Sequence, residues 1–191
     1  LLTSTFVKAQ QKTGIFFESM DVGNPTKKGS TIYNTNEQSY IITGGGSLMS
    51  RNQEDFHFTH KKLTGDFILT ADFSVEESSK NADKEFGWMI RTSLSNNSKQ
   101  LSACQDHKGT MYMQWRRSTN EVIKNPEDIT MFPKKNMQTI QLERKSNTYT
   151  MRVANVGEPL QEVGSVQLTE LGDEVYAGLF SHSLNEKESS V

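Results

Sequence analysis

The chain has 191 residues, 21 of them basic and 23 acidic, for a formal net charge of −2. At this length about 70% of the unfolded surface can be buried, so a hydrophobic core can carry the stability. The near-even charge offers no basic stripe for nucleic acid, and no run of 18 apolar residues could span a bilayer.

Taken in order, the first residues do not read as a domain start. Leu1 to Phe6 is an apolar and small-residue run that leads into Val7-Lys8-Ala9. This resembles the tail of a secretory signal peptide cleaved after Ala9. Residues 1–9 are therefore set aside as a signal remnant, and the mature protein from Gln10 is expected to be exported, periplasmic or extracellular. Cys104 is the single cysteine, so neither an internal disulfide nor a cysteine zinc site can be built.

From there the pattern is short alternating runs broken by turns. "SYIITG" (39–44) precedes the glycine triplet 44–46. "EDFHFTHKKL" follows, then the turn "LTGD", in which Gly65 supplies an unusual backbone angle and Asp66 can cap the turn. "FILTADFSV" (67–75) keeps period two over nine residues. "SSKNADKEFG" (78–87) reads as a polar loop. "FGWMIRTSL" (86–94), "QLSACQD" (100–106) and "TMYMQWRR" (110–117) are strands, and "STNEVIKNPEDI" (118–129) is a second polar loop. "TIQLER" (139–144), "TYTMRVA" (148–154), "GSVQLTEL" (164–171) and "VYAGLFSHS" (175–183) complete the series. Strand then turn every 10–14 residues, without an amphipathic helix, predicts an antiparallel sandwich or barrel. No linker or repeat divides it, so residues 10–191 form one domain.

The side chains that could carry chemistry are few. The triplet Gly44-Gly45-Gly46 lacks the Lys-Ser/Thr of a phosphate loop and is assigned to a positive-φ turn or bulge. Alternation in "EDFHFTH" sends Phe56 and Phe58 to the core, and Asp55 and His57 to the other face. His57 and His60, three apart on a strand, point to opposite faces, so no metal site is assigned. Any ion would suit calcium held by loop oxygens. Gly87, Met89 and Arg91 share a face opposite Trp88 and Ile90. Tyr112, Gln114 and Arg116 share one opposite Met111, Met113 and Trp115. If these faces align with that of His57, one sheet gathers His57, Arg91, Gln114 and Arg116. Arginine forks and amides suit sugar hydroxyls or carboxylates. The competing reading is a set of cross-strand polar pairs holding register. The paired carboxylates of a glycosidase are not found on one clean strand, there is no Gly-x-Ser-x-Gly, and Cys104 reads as a small interior residue. No catalytic residue and no cofactor is assigned.

The ordered motifs "DVGNP" (21–25), "Y.ITGGG" (40–46), "DFHF" (55–58), "LTGDF" (63–67), "GWMIRTS" (87–93), "QWR" (114–116), "LER" (142–144) and "VYAGLFSHS" (175–183) resemble a poorly characterised concanavalin-A-like jelly-roll family of exported bacterial proteins. Its members often adjoin a TolB-like β-propeller or lie within carbohydrate-processing proteins. The resemblance implies a two-sheet sandwich with a concave, carbohydrate-related or interaction face, onto which His57, Arg91, Gln114 and Arg116 map. Two departures stand out. Met49 occupies the place of a tryptophan after the glycines, and the chain stops at Val191 before a last "..FSNV" strand, which predicts truncation there.

The expectation is a non-catalytic module that binds glycan or packs against another domain, such as a C-terminal β-propeller. One alternative is a glycan-acting hydrolase or lyase, with His57 as acid or base and Arg91 or Arg116 stabilising charge. Another is a purely structural accessory to a propeller.

Overall fold

The computed structural model describes residues 14–46, 53–75 and 84–183. Residues 1–9, expected to be a signal remnant, Met49 and the expected truncation at Val191 lie outside them. Among the described residues the regular structure is thirteen strands and one 3-10 turn, Thr169–Leu171, with no α-helix. The strands are β1 (Glu18–Val22), β2 (Ser30–Asn34), β3 (Ser39–Thr43), β4 (Phe56–Thr64), β5 (Phe67–Asp72), β6 (Lys84–Arg91), β7 (Gln100–Asp106), β8 (Thr110–Arg116), β9 (Ile129–Lys135), β10 (Thr139–Lys145), β11 (Thr148–Ala154), β12 (Gln161–Gln167) and β13 (Glu174–Ser183).

Seven strands form one antiparallel sheet in the order β1-β4-β13-β6-β7-β8-β9, four form a second in the order β12-β11-β10-β5, and β2-β3 is a separate hairpin. The all-β expectation holds, and the arrangement is that of a β-sandwich. Alternation explains the layering. Trp88, Ile90, Leu101, Ala103, Met111 and Met113 project from the large sheet onto Ile140, Leu142, Tyr149, Met151 and Val153 of the small one. All of these are at most 3% exposed, and each removes its apolar surface from water at roughly 25 cal/mol per Å². Trp88 crosses between the layers and donates its indole N–H to the Ile140 carbonyl at 3.0 Å.

Several expectations shift. Strand β6 begins at Lys84, inside the segment read as a polar loop. Strands β1, β2 and β9 carry too few consecutive apolar positions to show in the pattern. Pro133 suits β9, an edge strand whose missing N–H need not join a ladder. Gly65 has φ +69° as the turn requires. Asp66, however, accepts the Ser146 N–H at 2.6 Å and ties two turns together instead of capping its own. Gly44 allows a close approach, since a Cβ there would sit 1.8 Å from the Ser181 carbonyl oxygen, and Gly46 has φ +111°.

Candidate functional site

Register assigns each candidate to a face. His57 stands opposite Ser181 of β13, which stands opposite Phe86 of β6. Phe58 stands opposite Phe180, then Gly87, Cys104 and Tyr112. Directly opposed residues share a face, so Phe56 and Phe58 lie with Met89, Arg91, Gln114 and Arg116. His57 lies on the other side of the sheet. The expected gathering of four residues is therefore corrected: the structure brings Arg91, Gln114 and Arg116 together and separates His57 from them. The two phenylalanines are fully buried, but on the outer face, in a cluster with Val22, Met89, Cys104, Tyr112 and Phe180. Since His57 and the arginines face opposite ways, they cannot act together on one substrate, as the hydrolase or lyase alternative required.

On the outer face, Arg91, Gln100 and Arg116 form one row straight across β6, β7 and β8. Glu54 lies above it. Arg91 Nη1 is 2.9 Å from Glu54 Oε2, and Arg116 Nη2 is 2.8 Å from Oε1, with all three side chains 0% exposed. Other donors go to loop carbonyls, and Arg91 Nη1 also reaches Met89 Sδ at 3.3 Å. Arg91 reaches Ser93 O and Ser95 O, and Arg116 reaches Glu121 O and Ser98 O. Burial pulls the Arg91 pKa down, and Glu54 partly restores it. These arginines hold the 93–99 and 118–128 loops over the sheet, and sequence alone gave no sign of Glu54 as their shared partner.

The next row runs Met89, Ser102, Gln114. Gln100 is 0% and Gln114 3% exposed. Both amide atoms of Gln100, and Nε2 of Gln114, are buried without a hydrogen-bond partner. Leu94 and Ile129 pack against the neighbouring apolar cluster. Burial raises the Cys104 and Tyr112 pKa values well above their usual ranges, with the nearby Glu85 adding to both. The thiol is therefore neutral and points at Ser102 and the Tyr112 carbonyl. Glu85 itself is engaged by His182 Nε2 at 3.0 Å. Burial raises its pKa, but His182 and Tyr112 outweigh that and bring it below the usual value.

His57 is 4% exposed, and its Nδ1 lies 2.9 Å from Asp21 Oδ1. Asp21 sits directly opposite it on β1. The sequence reading missed Asp21 because β1 was not recognised as a strand. Alternation in "ESMDV" sends Ser19 and Asp21 to one side, and that was the available signal. His57 and His60 do face opposite ways, and among the described residues no group of three His, Cys, Asp or Glu side chains could hold a metal. No described helix is long and apolar enough to cross a membrane.

No family model matches the chain, and no curated protein matches it. Among solved structures it is similar to a functionally unknown protein from Saccharomyces cerevisiae. The two share 10% identity over 90% of this chain and 89% of the other, with a TM-score of 0.54. At that identity the likeness is one of fold alone.

Proposed function

We propose that the chain is a jelly-roll sandwich of the concanavalin type, acting as an exported module that binds glycan at the outer face of its seven-stranded sheet. The observation that supports this is the pair of buried, unpartnered amides of Gln100 and Gln114. An unsatisfied buried polar group costs about 1–3 kcal/mol, and native proteins keep few of them. Sugar hydroxyls both donate and accept, so they match an amide edge. Tyr112 and Phe180, on the same face, add apolar surface for a pyranose ring. Arg91 and Arg116 act as positioning residues that hold the covering loops, and the loops must lift for a glycan to reach the amides. The two carboxylates nearest the amides, Glu54 and Glu85, are engaged by Arg91, Arg116 and His182, which favours binding over acid–base work by either of them.

The test is a glycan panel read by direct binding, with Gln100→Leu and Gln114→Leu beside the wild type. Binding lost in both variants while they stay folded is the expected result. A folded wild type that binds nothing on the panel overturns the reading.

A second reading, an accessory docked beside another domain such as a TolB-like β-propeller, rests on a different observation. Ile32 and Ile41 are 58% and 43% exposed and directly opposed on the outward side of the β2-β3 hairpin. Association with a propeller domain that is lost in Ile32→Glu would favour it.

A further inference from the structure

His57 is held on both sides. Its Nδ1 meets Asp21 Oδ1 at 2.9 Å, and its Nε2 lies 2.8 Å from Ser19 Oγ and 3.0 Å from Thr31 Oγ1. A carboxylate only accepts, so Nδ1 carries the proton and Nε2 offers its lone pair to a hydroxyl. Asp21 is fixed in turn by the Gly29 N–H, which donates to the same Oδ1 at 2.9 Å. Gly29 has to be small, because a Cβ would sit 2.4 Å from the Cβ and Cγ of His57. Strand geometry supplies the rest. Ser19 and Asp21, two apart on β1, share a face, and His57 and Thr59 oppose them on β4.

We propose that Ser19, His57 and Asp21 form a nucleophile–base–carboxylate relay that hydrolyses a carboxylic ester, at a site separate from the outer sheet face. Hydroxyl, imidazole and carboxylate are each within hydrogen-bond reach of the next, as an activated serine requires. Fastening the hairpin to the sheet does not need Ser19. Thr31 of β2 already bonds Thr59 of β4, whereas Ser19 is exposed on a strand at the open edge of the sheet. Thr31 Oγ1 lies 2.9 Å from Ser19 Oγ, where it can accept the serine proton at rest; with Thr59 donating to Thr31, the Thr31 proton is left for the oxyanion once Ser19 has turned to His57.

In the first step Ser19 Oγ bonds the acyl carbon and its proton passes to His57 Nε2. The carbon–oxygen bond to the alcohol breaks, and the alcohol leaves with that proton. Water then attacks the acyl-serine with His57 again taking a proton, and the carboxylic acid and free Ser19 are released. Thr31 and Thr59 crowd the imidazole side, while the edge is open outward. The substrate that fits is a short acyl ester on a larger alcohol, such as an O-acetylated polymer.

The test is fluorophosphonate labelling of the folded chain with the adduct located by peptide mass spectrometry, and p-nitrophenyl acetate hydrolysis followed in parallel. The expected result is an adduct on Ser19, formed at least tenfold faster than in urea-unfolded protein. It should be absent in Ser19→Ala and slowed at least tenfold in His57→Gln and Asp21→Asn. Hydrolysis should fall in the same order. If the histidine variant does not fold, the native-to-unfolded ratio in wild type decides alone. A native chain that labels Ser19 no faster than the unfolded chain, or a folded His57→Gln that labels like wild type, overturns the proposal.

Discussion

Arg91 and Glu54 meet at 2.9 Å with neither side chain touching solvent, and Arg116 holds the other oxygen of the same carboxylate. Removing one partner from such a group leaves an uncompensated buried charge, which typically costs about 3–5 kcal/mol. Glu54→Gln leaves two arginines facing a neutral amide, so its urea midpoint should fall by an amount equivalent to that range, with an unchanged slope. Arg91→Ala or Arg116→Ala should destabilise by similar means. Loss of glycan binding in either would then report loop release, and it becomes informative only beside a measured unfolding curve.

Trp88 joins the two sheets through one hydrogen bond to Ile140 O and through edge contact with Phe73, ring centroids 6.3 Å apart. Trp88→Phe keeps an aromatic in the core, removes the donor and leaves a small void. The two effects together should cost about 1–3 kcal/mol. Thermal unfolding checks this, with Trp115, 7% exposed in the same layer, remaining as the fluorescence reporter.

These two sites differ in how far the sequence revealed them. Strict alternation in "GWMIRTS" and "MYMQWRR" correctly separated Trp88, Ile90, Met111, Met113 and Trp115 from Met89, Arg91, Tyr112, Gln114 and Arg116, and the structure puts the first set on the inter-sheet side. Period two fixes faces within a strand, but it says nothing about which face of β4 matches which face of β6. That depends on the β4-β13-β6 register, two long-range pairings between segments about 120 and about 90 residues apart. The phenylalanines of "DFHF" misled for a physical reason: this sheet buries apolar side chains on both faces, so hydrophobicity does not identify the core side. Glu54 and Asp21 escaped notice because the alternation around each covers only a few residues and names no partner, and their partners lie 37 and 36 residues further along.

His60 should make stability pH-dependent. Its pKa is lowered chiefly by burial, with Glu18 opposing and Arg91 reinforcing the shift. Since the folded value lies below the unfolded value of about 6.5, the unfolded chain binds the proton more readily. The contribution of neutral His60 is thus complete above about pH 6.5 and is lost as pH falls toward the folded value. His60→Phe keeps an aromatic beside Phe58, now 4.7 Å away between ring centroids. Its unfolding midpoint should therefore fall less steeply with acidification than that of wild type. Parallel curves would show that His60 does not titrate on unfolding.

Gln100 and Gln114 give the outer face a signature in stability as well as binding. Leucine has nearly the volume of glutamine and no polar atoms to leave unmatched. Replacing an unsatisfied amide with it should therefore be neutral or stabilising, by up to about 1–3 kcal/mol per site. Gln100 should show the larger gain, since both of its amide atoms lack partners, against one in Gln114. Binding groups often sit at a cost to stability. A Gln100→Leu chain that melts higher and no longer binds glycan joins the two halves of that argument. If Gln100→Leu instead melts lower, ordered water already satisfies the amide. The buried amides would then be structural, and the glycan reading would lose its main support.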